Sequence, residues 1–487
     1  MDVWELTATQ LGAALRRREV SAVGVLEAIL DRAERLRHAI NPFSVRLDER
    51  AHRAARAADL ELAKGLGGPL TGIPVTVKDS QWMAGVESAY GSLTLRGNVP
   101  TRTAAAVERL EATGAVIFAK TAVPEFCYTG ITESPLHGRT SNPWDLERTP
   151  GGSSGGAGAA VAARIGPLSL GGDGGGSIRI PAAFCGIVGF KPTFGAIPRE
   201  PSSAAWKTLV SIGPMARSVA DARLMALPLV GIDDRDRHSI DVTGLDADAP
   251  LPRELRLVAS EDLGFAPLDD DVRRAFRATV ETLRAEGATI IEDSPGLHSS
   301  VRAWATIATA EGRHAEQRAW VEERDLLTPR AEHFLEFGNH ITAAEYIHAQ
   351  YERERIHDAY VELFRRTRAH ALLTPTLGCE AFPHGSVHPD TIGGVPIRLP
   401  WLDWAGFLYD ANLCGYPACA IPIGLGDDRL PVSLQVLGLR GWDGRVLAIA
   451  ETIERAVAFE ARPAELTDEH LAMVHTDPVP LEPFVLG

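Results

Sequence analysis

Two glycine-rich runs hold the residues of this sequence with the plainest chemical potential. They are Pro150-Gly-Gly-Ser-Ser-Gly-Gly-Ala-Gly158 and Gly171-Gly-Asp-Gly-Gly-Gly-Ser-Ile-Arg-Ile-Pro181. Glycine lets a ligand approach main-chain N–H groups, because no Cβ stands in the way. Behind the first run, Ala157 to Ala163 is nearly all Ala, Gly and Val. A helix with so little side chain has to be closely packed, and its free N-terminal N–H groups fall near Ser153 and Ser154. Three readings of these residues compete. A flexible linker would not run on into an apolar helix and then Ile178, Ile180 and Phe184. A phosphate cradle needs the Lys-Ser/Thr ending of a P-loop or clean G-x-G-x-x-G spacing after a strand, and has neither. A nucleophile elbow fits, since Gly151-Gly-Ser153-Ser-Gly155 reads as G-x-S-x-G; Ser153 would then need an acid and one of His238, His384 or His388 downstream.

A further chemical signal is the scarcity of lysine. Lys64, Lys78, Lys120, Lys191 and Lys207 are all there are, so arginine supplies the solvated positive charge. A lysine on an apolar strand is then poor surface decoration. Lys78 ends such a strand, where Ile73, Val75 and Val77 alternate with Pro74, Thr76 and Lys78.

The elements that would position these residues follow from periodicity. Val3 to Arg37 reads as two helices, the second capped by Ser21, and Arg50 to Lys64 as a third ending at Gly65. Helix–glycine–strand units recur at Ala105–Gly114 into Val116–Ala119, and at Val272–Gly287 into Thr289–Ile291. Strands at Ala371–Leu373, Ala418–Ile423 and Val432–Leu437 precede a helix from Val446 to Phe459. Such alternation predicts an α/β fold, a sheet covered by helices. The stretch from about 299 to 399 is charged in its helical part and turn-rich at its end, which predicts a peripheral region forming a lid or pocket wall.

Taken in order, the motifs resemble the amidase signature family. Gly72-Ile-Pro-Val-Thr-Val-Lys78-Asp79 comes first, then Lys120-Thr-Ala-Val-Pro-Glu125-Phe126 and Asn142-Pro-Trp144. The two glycine runs and Cys185-Gly-Ile-Val-Gly-Phe-Lys191-Pro-Thr193 follow. A weaker match continues at Asn412–Ala418 and Leu430–Gln435. The resemblance implies a single domain over residues 1–487, with a large mixed central sheet covered by helices on both faces. It implies no cofactor and no metal. It also implies roles: Ser177 as acyl-forming nucleophile, Ser153 as a bridging serine after a cis peptide at Gly152, and Lys78 as base. The separations, 24 residues from Ser153 to Ser177 and 75 from Lys78 to Ser153, match that pattern. Gly174, Gly175 and Gly176 would offer amides to an oxyanion, while Asp173 and Arg179 would hold the loop in shape. Phe126, Cys127, Thr129 and Gly130 would line the substrate pocket. The chain departs from the family pattern at Gly172 and Gly174, at Ala122, and at Ala104 and Ala105; the added glycines predict a looser oxyanion loop or a larger acyl pocket.

This chemistry sets a condition on Lys78. A serine hydroxyl is a poor nucleophile until a base takes its proton, and lysine is a base only when neutral. Its pKa has to fall from about 10.4 toward about 7, a cost of roughly 4 kcal/mol that burial can impose. Asp79 is adjacent, but successive strand residues point to opposite faces, so it need not pair with Lys78.

The expected substrate is a small uncharged or aryl amide, or a carbamate (urethane), since no paired arginine suggests a carboxylate site. Trp82, Met83, Trp206, Trp401 and Trp404 are candidates for pocket wall or core. The alternative is the A subunit of a glutamyl-tRNA amidotransferase, a glutaminase working within a complex. A net charge of −15 disfavours nucleic acid as a direct partner. No apolar stretch is long enough for a membrane span, and no leader is evident, so a cytoplasmic protein is expected. Association into a homo-oligomer stays open. The five scattered cysteines predict free thiols rather than disulfides or a zinc site.

Overall fold

Lys78 ends an inner strand of a large sheet in the computed structural model, which describes residues 2–203, 205–242, 244–245, 251–252, 254–397, 403–467 and 470–471. Eleven strands lie side by side in the order Phe43–Arg46, Val116–Thr121, Pro74–Lys78, Leu168–Asp173, Ser211–Ala216, Val188–Lys191, Ala418–Leu425, Pro431–Leu437, Ala371–Pro375, Arg256–Ala259 and Thr289–Glu292. The sheet is mixed. Pro74–Lys78 runs parallel to both of its neighbours, whereas Leu168–Asp173 pairs antiparallel with Ser211–Ala216. This is the large mixed sheet with helices that the motifs imply.

The predicted elements form close to where periodicity placed them. Helices run from Ala8–Arg16, Ala22–Ile40 and Asp48–Ala63, and Ser21 Oγ accepts the Gly24 amide as the cap of the second. Ala105–Ala112 and Asp270–Ala285 precede their strands as expected, and Asp443–Val457 closes the series. The strand Pro74–Lys78 differs from its alternating pattern in one respect: all five residues are buried. Both faces of this inner strand are covered, so its polar positions need partners, and Thr76 Oγ1 accordingly donates to Ser169 Oγ at 2.7 Å.

The helix Gly155–Ala162 is buried along its whole length. Its small residues are required by what surrounds it. A Cβ on Gly158 would sit 2.9 Å from Pro181, and one on Gly156 would meet main-chain atoms of Pro42 and Ala122. Within the stretch 299–399, the helices Pro329–Asn339 and Ala343–Thr367 both pack on Val301–Ala315, while Ala371–Pro375 belongs to the main sheet. Trp401 and residues 398–399 lie outside the described residues. Among the described residues, no helix is long and apolar enough to cross a membrane.

Candidate active site

Three neighbouring strand ends and the two glycine runs bring the predicted residues together. Lys78, at the end of its strand, is 2% exposed; its Nζ lies 2.7 Å from Ser153 Oγ and donates to Gly172 O at 3.1 Å. Ser153 follows a cis peptide after Gly152. Ser177 lines the same cavity as Lys78 and Ser153. The two runs are tied to each other, since the Ser154 amide donates to Ser177 O at 3.1 Å and Ser154 Oγ to Gly172 O at 3.2 Å. The Ser177 hydroxyl makes no hydrogen bond within the described residues.

The electrostatics around Lys78 favour a neutral amine. Burial pushes its pKa down, opposed by the Asp173 and Asp79 charges. Neither of those carboxylates is free to hold a lysine cation. Asp79 pairs with Lys120 at 3.7 Å and also accepts from Ser44 Oγ and the Tyr90 amide. Asp173 pairs with Arg179 at 2.9 Å, both fully buried. Burial would raise the Asp173 carboxyl, but the Arg179 charge and hydrogen bonds outweigh it and hold Asp173 well below the usual range.

The Asp173–Arg179 pair has the loop-holding place expected of it, and it corrects one oxyanion assignment. Asp173 accepts the Gly176 amide at 2.8 Å and the Ile178 amide at 3.1 Å, just ahead of the helix Arg179–Cys185. Gly176 therefore has no N–H left for a ligand. The amides of Gly174, Gly175 and Ser177 donate to no acceptor among the described residues. Arg179 in turn reaches Gln435 and Asn412, so the weak motifs near the C-terminus brace this loop.

The prediction of a looser loop or larger pocket is also corrected. A Cβ on Gly174 would overlap the Trp206 ring, one on Gly175 would lie 2.5 Å from Trp304, and one on Gly176 would overlap Leu408. Trp304 Nε1 further donates to Gly174 O at 2.7 Å. Indole rings fill the space that the missing side chains leave, so the loop is clamped rather than slack.

Ser177 stands between two cavities of different character. The first, which holds Lys78 and Ser153, is also lined by Ser80, Gln81, Tyr90, Phe126, Arg199, Ser202 and Ser203. The second is lined by Thr129, Gly130, Gly175, Ile180, Trp304, Trp404 and Tyr409 and contains no charged side chain. Cys127 and Trp206 border both. All four predicted pocket residues thus face one cavity or the other. Trp206 and Trp404 are walls; Met83 is core, and Trp82 bonds Tyr90 through its indole N–H. Among the described residues, no histidine lines either cavity. His384 lies beside Ser141 and Glu133 instead, which removes the base that an elbow at Ser153 would need.

The segment carrying Phe126 and Cys127 has a left-handed backbone, with φ of 50° and 65°. Glu125 holds it there. Its buried carboxyl, pushed up by burial, accepts from Ser92 Oγ at 2.6 Å and from the Thr328 amide at 2.9 Å. Burial also pushes the Cys127 thiol up, which favours the neutral thiol over the thiolate. Sequence reasoning missed Thr328, Trp304, Tyr409 and Arg199. None of the four stood out in the sequence, since Arg199 shares its run with the charged Glu200 and Lys207.

Known proteins resemble this chain over nearly its whole length. The Amidase family matches residues 24–447. The A subunit of the glutamyl-tRNA(Gln) amidotransferase of Methylococcus capsulatus is 36% identical, over 95% of this chain and 99% of its own length. Among solved structures, an amidase is 31% identical, with a TM-score of 0.82 over 92% of this chain and 99% of that one. A bacterial aryl acylamidase of the amidase signature family shares the fold at a TM-score of 0.86 and 24% identity, over 97% and 99% of the two chains.

Proposed function

This chain belongs to the amidase signature family, and we propose that it hydrolyses small amides whose acyl group is aryl or apolar, with carbamates (urethanes) as the nearest further class. One observation carries the reading. Ser177 sits between an uncharged aromatic cavity and a polar cavity that contains the Lys78–Ser153 pair. The departing nitrogen has to receive a proton, so it belongs on the Lys78 side. The acyl group then belongs on the aromatic side, next to Gly175.

In this scheme Ser177 Oγ attacks the carbonyl carbon and its proton passes to Ser153, whose own proton passes to neutral Lys78. The amides of Gly174, Gly175 and Ser177 meet the developing oxyanion. Collapse of the intermediate breaks the C–N bond as the proton returns through Ser153 to nitrogen. Without that return an amine anion would have to leave. Water then takes the place of the amine and releases the acid. Carbamates present the same carbonyl and need the same stabilisation.

A second reading is a glutaminase that works with partner chains, favoured by the curated relatives, which are glutamyl-tRNA(Gln) amidotransferase A subunits. Glutamine carries a carboxylate and an ammonium on its acyl side. An aromatic cavity without a charged side chain would have to desolvate both, which is unfavourable. The test is the purified chain alone on benzamides, alkyl amides, phenyl carbamates and glutamine. The proposal expects turnover of benzamides without partners; glutamine turnover with none on benzamides would favour the second reading.

A further inference from the structure

Arg199 is a cation the mechanism does not use, and it faces the cavity that receives the leaving amine. It is 8% exposed. Its guanidinium donates to Ser202 Oγ at 3.0 Å, Trp206 O at 2.8 Å, Ala205 O at 3.2 Å and Ser203 O at 3.4 Å. Every hydrogen-bond partner is neutral, the one charged partner being Glu200 in a long ion pair at 4.0 Å, and four bonds leave one Nη1 hydrogen unassigned among the five that a guanidinium offers. The nearest carboxylate, Glu200, is 4.0 Å away and is itself held by Lys207 at 2.5 Å and by Ser202. Asp236 accepts the Arg199 backbone amide rather than the side chain. Among the described residues, no Asp or Glu side chain lines this cavity.

A second polar group faces the same space. Gln81 is 4% exposed and lines the cavity, and its side-chain amide makes no hydrogen bond within the described residues. Its amide is therefore available to hydrogen-bond a ligand in the cavity.

We infer that Arg199 and Gln81 form a leaving-group subsite for a carboxylate, so that the amides cleaved best are N-acyl amino acids. The inference rests on the proposed function, in that it assigns the amine half of the same substrate. A carboxylate one or two bonds beyond the scissile nitrogen would accept from the free Nη1 hydrogen and from Gln81, while the acyl half stays in the aromatic cavity. A charge-assisted bond of this type corresponds to roughly a tenfold to hundredfold preference.

The experiment compares kcat/KM for N-benzoylglycine and for the neutral isostere N-benzoylglycinamide. Wild type is expected to prefer the carboxylate at least tenfold. Arg199→Met should bring the ratio close to one, and Arg199→Lys should restore part of it. If Arg199 only held the 202–206 loop, both substrates would fall together and the ratio would persist, which overturns the inference. Because Arg199→Met can fail to fold, Gln81→Leu, whose amide supports nothing in the fold, is measured alongside and should lower the ratio several-fold. Equal turnover of the two substrates by wild type overturns the subsite and leaves the proposed function standing. Turnover of neither brings down the proposed function and the subsite with it.

Discussion

Asp79 follows Lys78 in the chain but pairs with Lys120, 3.7 Å away. Strand geometry sends the two side chains to opposite faces, and Lys120 arrives from the neighbouring parallel strand to neutralise the acid. Asp173 is likewise committed to Arg179. Lys78 is thus buried with both nearby carboxylates spoken for, and burial can keep its amine neutral.

A neutral base fixes the sign of the pH dependence. With the Lys78 pKa lowered, turnover should be present above that depressed value and lost as pH falls through it. Lys78→Ala should reduce amide turnover by roughly 10²–10⁴-fold and remove this acid limb. The pH profile of kcat/KM from pH 5 to 10 checks it; full activity of the variant at pH 7 would contradict the assignment.

Ser153 should matter most when the leaving group needs a proton. Ser153→Ala is expected to lower amide turnover by roughly 10²–10⁴-fold. A p-nitrophenyl ester of the same acid, whose phenoxide leaves unaided, should suffer much less. Measuring both substrates on one preparation gives the ratio, and equal losses would argue against proton return.

Gly174→Ala puts a methyl group into the Trp206 ring. Overpacking of this kind costs about 1–3 kcal/mol, and it displaces the amides offered to the oxyanion. The variant should melt earlier and turn over more slowly, whereas an unchanged kcat would mean that the loop is not clamped.

Asp173→Asn should be more damaging still. It leaves the fully buried Arg179 without its counter-charge, a loss of about 3–5 kcal/mol. Thermal unfolding of the purified variant measures the loss, and wild-type stability would contradict the bracing role.

The sequence made local features legible and left distant ones hidden. The strand bearing Lys78, the Ser21 cap and the buried helix after Ser153 follow from short-range pattern and residue size. Gly176 could not be excluded as an oxyanion donor from sequence, because the carboxylate that occupies its amide is seen only once the Asp173 turn is folded. The extra glycines read as looseness because Trp206 and Trp304, 32 and 130 residues beyond Gly174, arrive through tertiary packing. Arg199 stayed hidden for a related reason: only the folded chain shows that it lines the same cavity as Lys78.

The most direct test of the relay is the site of covalent labelling by a fluorophosphonate, mapped by peptide mass spectrometry. The account predicts a single adduct on Ser177 in wild type, none in Ser177→Ala, and slowed labelling at the same residue in Lys78→Ala. An adduct on Ser153, or undiminished labelling of Ser177→Ala, would contradict it.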